Sequence, residues 1–472
     1  MNRVYKILCT LGASILIAEP ITLDGNLNEE SWKDAFVIEN YYETVPFTLE
    51  PASVKTITRV FSNEDGIYVG FTNFQDISTM VSNKSLRDEM GINVEQNGVA
   101  IDFDSDGSKA YMFMITLADI KKDGIRPLGG YPEMDWDGDW EAKTRKYKNF
   151  WISEFFIPWN VALMKPEEND MRKINISTFR YLAKEKVWLN DTKTSGFRVN
   201  FLSNMRTIEI NSYTKRKLNF FPFLSKTYNS VSNFNENKLG AEVFLNTGKG
   251  QQINLTINPD FGQAESDEVI VNFSAQETFY SEKRAFFNEN QSLFDLNHYD
   301  RYRIINTRRI GAKSNYECLS SEDIGDCEAS KKNYTDIDFA LRYTQKNNDL
   351  DFGVFLAQES DERYTKGRSY YAIRSKKRIN NTTIGHFLTY VEDNFLDEKA
   401  TVNVIDFSNV RSNKLTFYND LISSHKENIS GFGLRSQFNY KPTALSSRSG
   451  SLLYFDDDLM PVSYTHLTLP TT

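Results

Sequence analysis

The sequence predicts an all-β protein, with a β-sandwich toward the amino terminus followed by an incomplete antiparallel transmembrane β-barrel. Three observations carry that expectation. From Leu239 onward apolar and polar residues alternate with a period of two, in segments of about ten residues separated by turn residues. Aromatic residues make up 14% of the chain, with 24 Tyr and 34 Phe, a richness that the interfacial girdles of a membrane barrel demand. Between the two halves lies the run NPDFGQAESDEVIVNFSAQETFYSEKRAFFNEN, Asn258 to Asn290, which follows neither period and mixes acids, Lys283, Arg284 and aromatic residues. That mixture suits the interior or rim of a wide barrel and equally an ordinary surface loop.

In chain order, Arg3 and Lys6 precede an apolar run from Ile7 to Ala18, closed by Glu19 and Pro20. The run is too short to span a bilayer as a helix and has the flanks of a secretory signal peptide, predicted over residues 1–19 with cleavage near Ala18. Cys9 would leave with it. The 55 Lys+Arg against 64 Asp+Glu give a net charge of -9, and no basic patch interleaves with aromatics, so nucleic acid is excluded as a partner.

Residues 20–215 predict the sandwich. Val54 to Asn73 reads as two strands about Asn63–Gly66, and Gly98 to Thr116 as two strands about an Asp-Gly turn. Asp102, Asp104, Asp106 and Gly107 fit the first half of a calcium loop, D-x-D-x-D-G. The twelfth position is Phe113, so the bidentate Glu of an EF-hand is missing. The densest cluster is MDWDGDWEAKT, Met134 to Thr144, followed by NFWISEFFIPWNVAL, Asn149 to Leu163. Exposed Trp faces stack on sugar rings and carboxylates accept from hydroxyls, which makes Trp136, Asp137, Asp139 and Trp140 candidate ligand-binding residues. The competing reading packs these Trp residues into the sandwich, as it does Trp32.

Residues 216–460 predict the partial barrel, with 258–330 as a plug or loop segment. LGAEVFLN and QQINLTIN pair about Thr247–Gly250, and seven more strands follow between Ile337 and Tyr440. In the clearest, Ile337, Phe339, Leu341 and Tyr343 face one way and Asp338, Ala340, Arg342 and Thr344 the other. Stacked soluble sheets would alternate likewise, but so many successive hairpins leave no second layer to cover an apolar face. Nine strands are counted where bacterial barrels close with an even number, so the barrel is expected to be cut off partway, as an open, curved sheet. Pro461 to Thr472 abandons the pattern and resembles translated adaptor sequence, a non-native tail. Cys318 and Cys327 sit close together in a polar loop, and in an oxidising compartment a disulfide is expected.

No nucleophile elbow, phosphate loop or zinc motif is present, and the four His residues (His298, His386, His425 and His466) have no recognisable catalytic partner. Many carboxylates are present, but nothing singles out a glycosidase pair.

The joint resembles the block "NPDFGQ-E-D…NLSA-ETFFPEKRPFF" of a family of Gram-negative outer-membrane proteins. Asn258 to Gln263, Glu265, Asp267, Asn272, Ser274, Ala275, Glu277 to Phe279, Glu282 to Arg284, Phe286 and Phe287 match it; Tyr280, Ser281 and Ala285 depart from it. Ile21 to Ala35 (ITLDGNLNEESWKDA) is similar to the opening of a family-nine carbohydrate-binding-type domain. Trp136, Asp137, Trp140, Ala142, Trp151, Glu154, Ile157, Pro158 and Leu163 fit its closing pattern. The resemblance implies a carbohydrate-binding-like domain joined to a barrel in the outer membrane, lying on the periplasmic or the exposed side. It implies binding of a glycan or other small ligand linked to uptake or export, with outer-membrane lipid around the barrel. It also keeps a structural Ca²⁺ on Asp102, Asp104 and Asp106 beside the reading of a solvated hairpin tip. The alternative it implies is a secreted carbohydrate-active protein hydrolysing O-glycosyl bonds in carbohydrate catabolism.

Overall fold

In the computed structural model, residues 21–459 are described apart from 90, 129–131, 133, 135, 168–169, 197–200, 214–215, 230–233, 260–281, 283, 289–292, 295, 299–301, 319–323, 333, 349, 413–414 and 441–447. The expected signal peptide over 1–19, the expected non-native tail over 461–472 and most of the joint motif lie outside the described residues.

The first half is two packed antiparallel sheets. Its strands are β1 (Phe36–Ile38), β2 (Tyr42–Val45), β3 (Thr56–Ser62), β4 (Gly66–Phe74), β5 (Gln96–Asp102), β6 (Lys109–Thr116), β7 (Lys121–Pro127), β8 (Glu141–Lys146), β9 (Phe150–Pro158), β10 (Met171–Leu182), β11 (Val187–Asn190) and β12 (Arg206–Asn211). One sheet runs β1-β3-β4-β9-β8 and the other β2-β11-β10-β5-β6-β7, with β12 also on β10. Alternation along these strands sends Val60, Phe71, Val99, Ile101, Phe113, Phe155, Ile174 and Ile176 into one core between the sheets.

Among the described residues the second half is a single eleven-stranded antiparallel sheet, with short helices and a two-stranded ribbon besides. Its strands are β13 (Lys217–Asn229), β14 (Phe234–Asn246) and β15 (Gln251–Ile257), then, after the ribbon β16 (Asn297–His298) and β17 (Tyr302–Arg303), β18 (Ile337–Gln345), β19 (Leu350–Glu359), β20 (Arg368–Ile379), β21 (Thr382–Asp393), β22 (Glu398–Ser412), β23 (Leu415–Lys426), β24 (Ile429–Tyr440) and β25 (Arg448–Phe455). The strands pair in sequence order from β13 to β25, and these two edges do not pair with each other. The sheet is therefore open, with two strands more than the nine counted from sequence. β13 escaped that count because FFPF breaks its alternation, and β25 because Ser and Gly dilute its first half.

The faces of this sheet are arranged opposite to those of a soluble protein. On β18 the polar-side residues Arg342 and Thr344 are buried, while Phe339 on the apolar side is 40% exposed. The register carries this across the sheet. Leu245, Ile253, Tyr343, Val354, Ile373 and Leu388 form one cross-strand row on the outer face. Phe387, Val402, Val404 and Ile422 of the other face are fully buried. One local departure moves a residue between faces: a register shift between Ile337 and Phe339 turns Ile337 inward, against its sequence assignment with Phe339. Asn258 takes a left-handed φ of 48° at the exit of β15, its N–H donating to Asp338 O at 2.8 Å and its side-chain amide to Leu239 O at 2.8 Å. Left-handed backbone is well tolerated by Asn, so the chain bends away from β15 one residue before Pro259.

Candidate functional site

The candidate sugar-binding cluster folds as core. Trp136 and Trp140 are buried, and Trp140 stacks on Phe155 with ring centroids 5.9 Å apart and an interplanar angle of 10°. Phe113 meets both tryptophans edge-on, at 5.8 Å and 5.4 Å. Stacking on a sugar needs an open ring face, and these rings have none. The intervening turn wraps a buried acid: Asp123 Oδ2 accepts from Gly138 N at 2.6 Å, and its Oδ1 from Arg87 Nη2 at 2.8 Å. Burial pushes the Asp123 carboxyl up, against the Gly138 N–H and the Arg87 charge. The exposed Asp137 pairs with Arg87, and the exposed Asp139 lies 3.7 Å from Lys217 at the start of β13. The structure thus separates the four residues into two core rings and two surface carboxylates turned to protein cations.

The candidate calcium loop is likewise turned to protein groups. Asp102 Oδ2 accepts from Gly107 N at 2.7 Å and from Asn175 Nδ2 at 3.0 Å. Burial, with Asp106 close by, pushes its carboxyl up to about 6. Asp104 accepts from Lys165 N at 2.8 Å, lies 3.5 Å from Arg172 Nη1 and pairs with Lys346 from the turn after β18. Asp106 pairs with Lys165 at 2.9 Å and lies 3.5 Å from Arg378 of β20. Burial would raise the Asp106 carboxyl, but Lys165 and Lys346 hold it well below the usual carboxylate range. For Lys346 burial would lower the ammonium, and Asp104, with Tyr111 and Asp351, more than offsets it. A calcium ion needs six to eight oxygen ligands. Here Asp104 and Asp106 are turned to ammonium and guanidinium groups and Asp102 to a backbone N–H and an amide, and among the described residues no group of three or more His, Cys, Asp or Glu is placed to hold a metal. Held by those donors the three carboxylates do not fit the ion, and the loop packs against protein rather than standing as a solvated tip.

The densest buried polar chemistry lies on the inner face of the large sheet. The described residues between Glu282 and Ser314 lie against that face, where Phe286, Phe287, Phe294, Ile304 and Ile310 bury against Ala340, Phe355, Tyr370, Ala372 and Phe387. The segment has little regular structure, so its carbonyls need other donors. Arginines supply them. Arg342 donates to the carbonyls of Phe286 and Phe287, Arg374 Nε to Leu293 O at 3.3 Å, and Arg368 Nη2 to Ala312 O at 3.1 Å. From the segment itself, Arg284 donates to Ile310 O at 2.7 Å and Thr307 O at 2.6 Å while its guanidinium chelates Glu282 at 2.8 Å and 2.7 Å. Glu359 closes the set, accepting from Arg368 Nε at 2.7 Å, Tyr370 Oη at 3.0 Å and Gly311 N at 2.8 Å. Contact is close: a Cβ on Gly353 would stand 2.7 Å from Phe294 Cζ and 2.8 Å from Leu293 Cδ2.

Sequence reasoning placed Glu282, Arg284, Phe286 and Phe287 in the joint motif but passed over Arg368, Arg374, Glu359 and Asp406. Their signal was present in the alternation, as charged residues in phase with the buried positions of β19, β20 and β22. Cys318 and Cys327 are joined as a disulfide with Cα atoms 5.8 Å apart, closing a loop whose second half is a short helix, Ile324–Ser330.

Fold and site together define an all-β protein that joins a soluble-type sandwich to a large antiparallel sheet with an apolar outer face and a filled inner face. Residues 214–413 match the family described as a domain of unknown function, DUF5916. No curated protein matches the chain. Among solved structures it is similar to the anion-selective porin from Comamonas acidovorans, at 6% identity over 76% of this chain and 86% of that one, with a TM-score of 0.28. At that score the likeness carries no argument about function.

Proposed function

We propose that the chain is an outer-membrane β-barrel protein whose lumen is occupied by its own segment 282–314. The observation that carries this reading is the inversion of the large sheet. A soluble sheet buries its apolar face, whereas here a broad outer face stays open, including Leu224, Leu239, Ile373, Ile405, Leu421 and Leu452, while charged residues are buried on the other. Water tolerates contiguous apolar patches of only a few hundred Å². Lipid accepts this one, and most of the strands, β18 to β24 among them, are long enough to cross hydrocarbon. In lipid the β13 and β25 edges need partners, because unpaired backbone groups there cost several kcal/mol each.

The finer reading is ligand handling, with a glycan as the candidate class on the strength of the sandwich's motifs. The burial of Trp136 and Trp140 removes the platform those motifs suggested, so a glycan site would have to lie elsewhere on the chain. Hydrolysis of glycosyl bonds has no candidate carboxylate pair in its favour.

Expression in a Gram-negative host tests the membrane reading. The chain is expected in the outer-membrane fraction after carbonate washing, with an unheated band on gels that shifts on boiling. Recovery as a soluble periplasmic or secreted species overturns it. A glycan array probed with the full chain in detergent micelles tests the ligand class.

A further inference from the structure

The two ends of the large sheet differ, and the sandwich contacts one of them. Strand β13 begins at that end, and the turns 247–250 and 380–381 lie along it, where β18 also joins β19, β22 joins β23 and β24 joins β25. The opposite end carries the connections 258–336, 360–367, 394–397 and 427–428. The first of these holds the disulfide loop and is tied to the second, with Glu317 N donating to Tyr364 O at 3.0 Å and Lys332 Nζ reaching Glu362 at 2.9 Å.

The contacts between the sandwich and the sheet converge on the short-turn end. Asp104 takes Lys346 of the 346–349 turn, and Asp106 lies near Arg378 at the end of β20. Tyr418 Oη donates to Leu128 O at 3.0 Å, and Asp139 faces Lys217. The 247–250 turn abuts the sandwich so closely that a Cβ on Gly250 would stand 3.0 Å from Pro166 Cδ and 3.3 Å from Met164 O. Asp104, Lys346, Asp106 and Lys165 are largely buried in this contact. Removing one partner would leave an uncompensated buried charge, which sets the sandwich in one position rather than on a loose tether.

We propose that the sandwich is a periplasmic cap fixed over the short-turn mouth of the barrel, with the Asp102–Asp106 loop as its docking surface. The inference rests on the membrane-barrel reading and adds the side of the membrane and the role of the loop. In bacterial barrels short turns face the periplasm and long loops the exterior. With that polarity the disulfide loop and the 360–367 loop lie outside the cell.

Single cysteines and a membrane-impermeant maleimide test it on the full chain in cells. Lys366→Cys, in the 360–367 loop, and Lys33→Cys, on the sandwich, are both at exposed side chains. Lys366→Cys is expected to label in intact cells, and Lys33→Cys only after the outer membrane is permeabilised. Labelling of Lys33→Cys in intact, membrane-associated protein overturns the proposed side while leaving the barrel reading standing. A chain found in the soluble fraction overturns the barrel reading itself, and the cap with it. For the docking surface, a short bis-maleimide is expected to link Asp104→Cys to Lys346→Cys within one chain. Failure to link them, in a double variant that still reaches the outer membrane, overturns the docking role.

Discussion

Arg374 of β20 and Asp406 of β22 meet across the intervening strand β21, with Nη2 donating to Oδ2 at 2.9 Å and Nη1 pairing with Oδ1. The strand between them carries Gly385 at that level, where a Cβ would stand 2.6 Å from Arg374 Nη1 and 2.7 Å from Asp406 Oδ2. The pair exists because the intervening position has no side chain. It fills that space with a bidentate contact and leaves Arg374 Nε free to hold the carbonyl of Leu293.

Breaking that pair from one side strands a fully buried guanidinium. Asp406→Ala is expected to destabilise the folded chain by about 3–5 kcal/mol, read as a drop in the temperature at which the compact gel band converts to the extended one. Arg374→Met with Asp406→Leu is expected to recover most of that loss. Equal losses in the single and double variants would show that the pair contributes nothing beyond its volume.

The inner segment is pinned by arginines from the wall, so removing the pins loosens it. Wild-type protein in planar bilayers is expected to conduct poorly. Arg342→Ala with Arg368→Ala, which frees the carbonyls of Phe286, Phe287 and Ala312, is expected to raise the frequency of large openings. Conductance that the double variant leaves unchanged would mean that the segment does not block the lumen.

Trp140 is a stability residue on this geometry. Trp140→Ala is expected to cost about 3–5 kcal/mol through the cavity it leaves, and Trp140→Phe clearly less, with circular dichroism melting as the readout. A Trp140→Ala chain that melts normally but loses sugar affinity would reverse the assignment.

Glu154 gives the sandwich a pH dependence. The side chain is fully buried on β9, its Oε2 accepting from Gly25 N at 3.1 Å and Asp24 N at 3.2 Å. Burial pushes its carboxyl up to about 8. The folded state therefore keeps a proton that the unfolded chain releases near its ordinary pKa of 4.5. Stability from this group is fully present below pH 4.5 and falls as pH rises toward 8, by an amount on the order of 2 kcal/mol or more. Glu154→Gln is expected to flatten the decline in melting temperature between pH 5 and 8 relative to wild type. An unchanged slope would assign the dependence to the other buried acids.

The alternation of β18 was readable because a period of two needs only local sequence, and it assigned Arg342 and Phe339 to opposite faces. It did not say which face was covered, since a soluble sheet and a lipid-facing one share that pattern. The large sheet's inversion came from packing, through Phe286 and Phe287 returning from a distant connection to cover Arg342.

The sequence by itself determined the all-β class and, on β18, which residues share a face from Phe339 to Thr344. Tertiary structure decided the fates of Trp136, Trp140 and the Asp102–Asp106 loop. A tryptophan's ring presents the same surface to a sugar as to Phe155, and a carboxylate's lone pairs serve calcium or Lys346 equally well. Which partner arrives depends on segments tens to hundreds of residues away. Those long-range meetings, rather than the residue types, put the two tryptophans in a core and set Asp104 and Asp106 against Lys346 and Lys165.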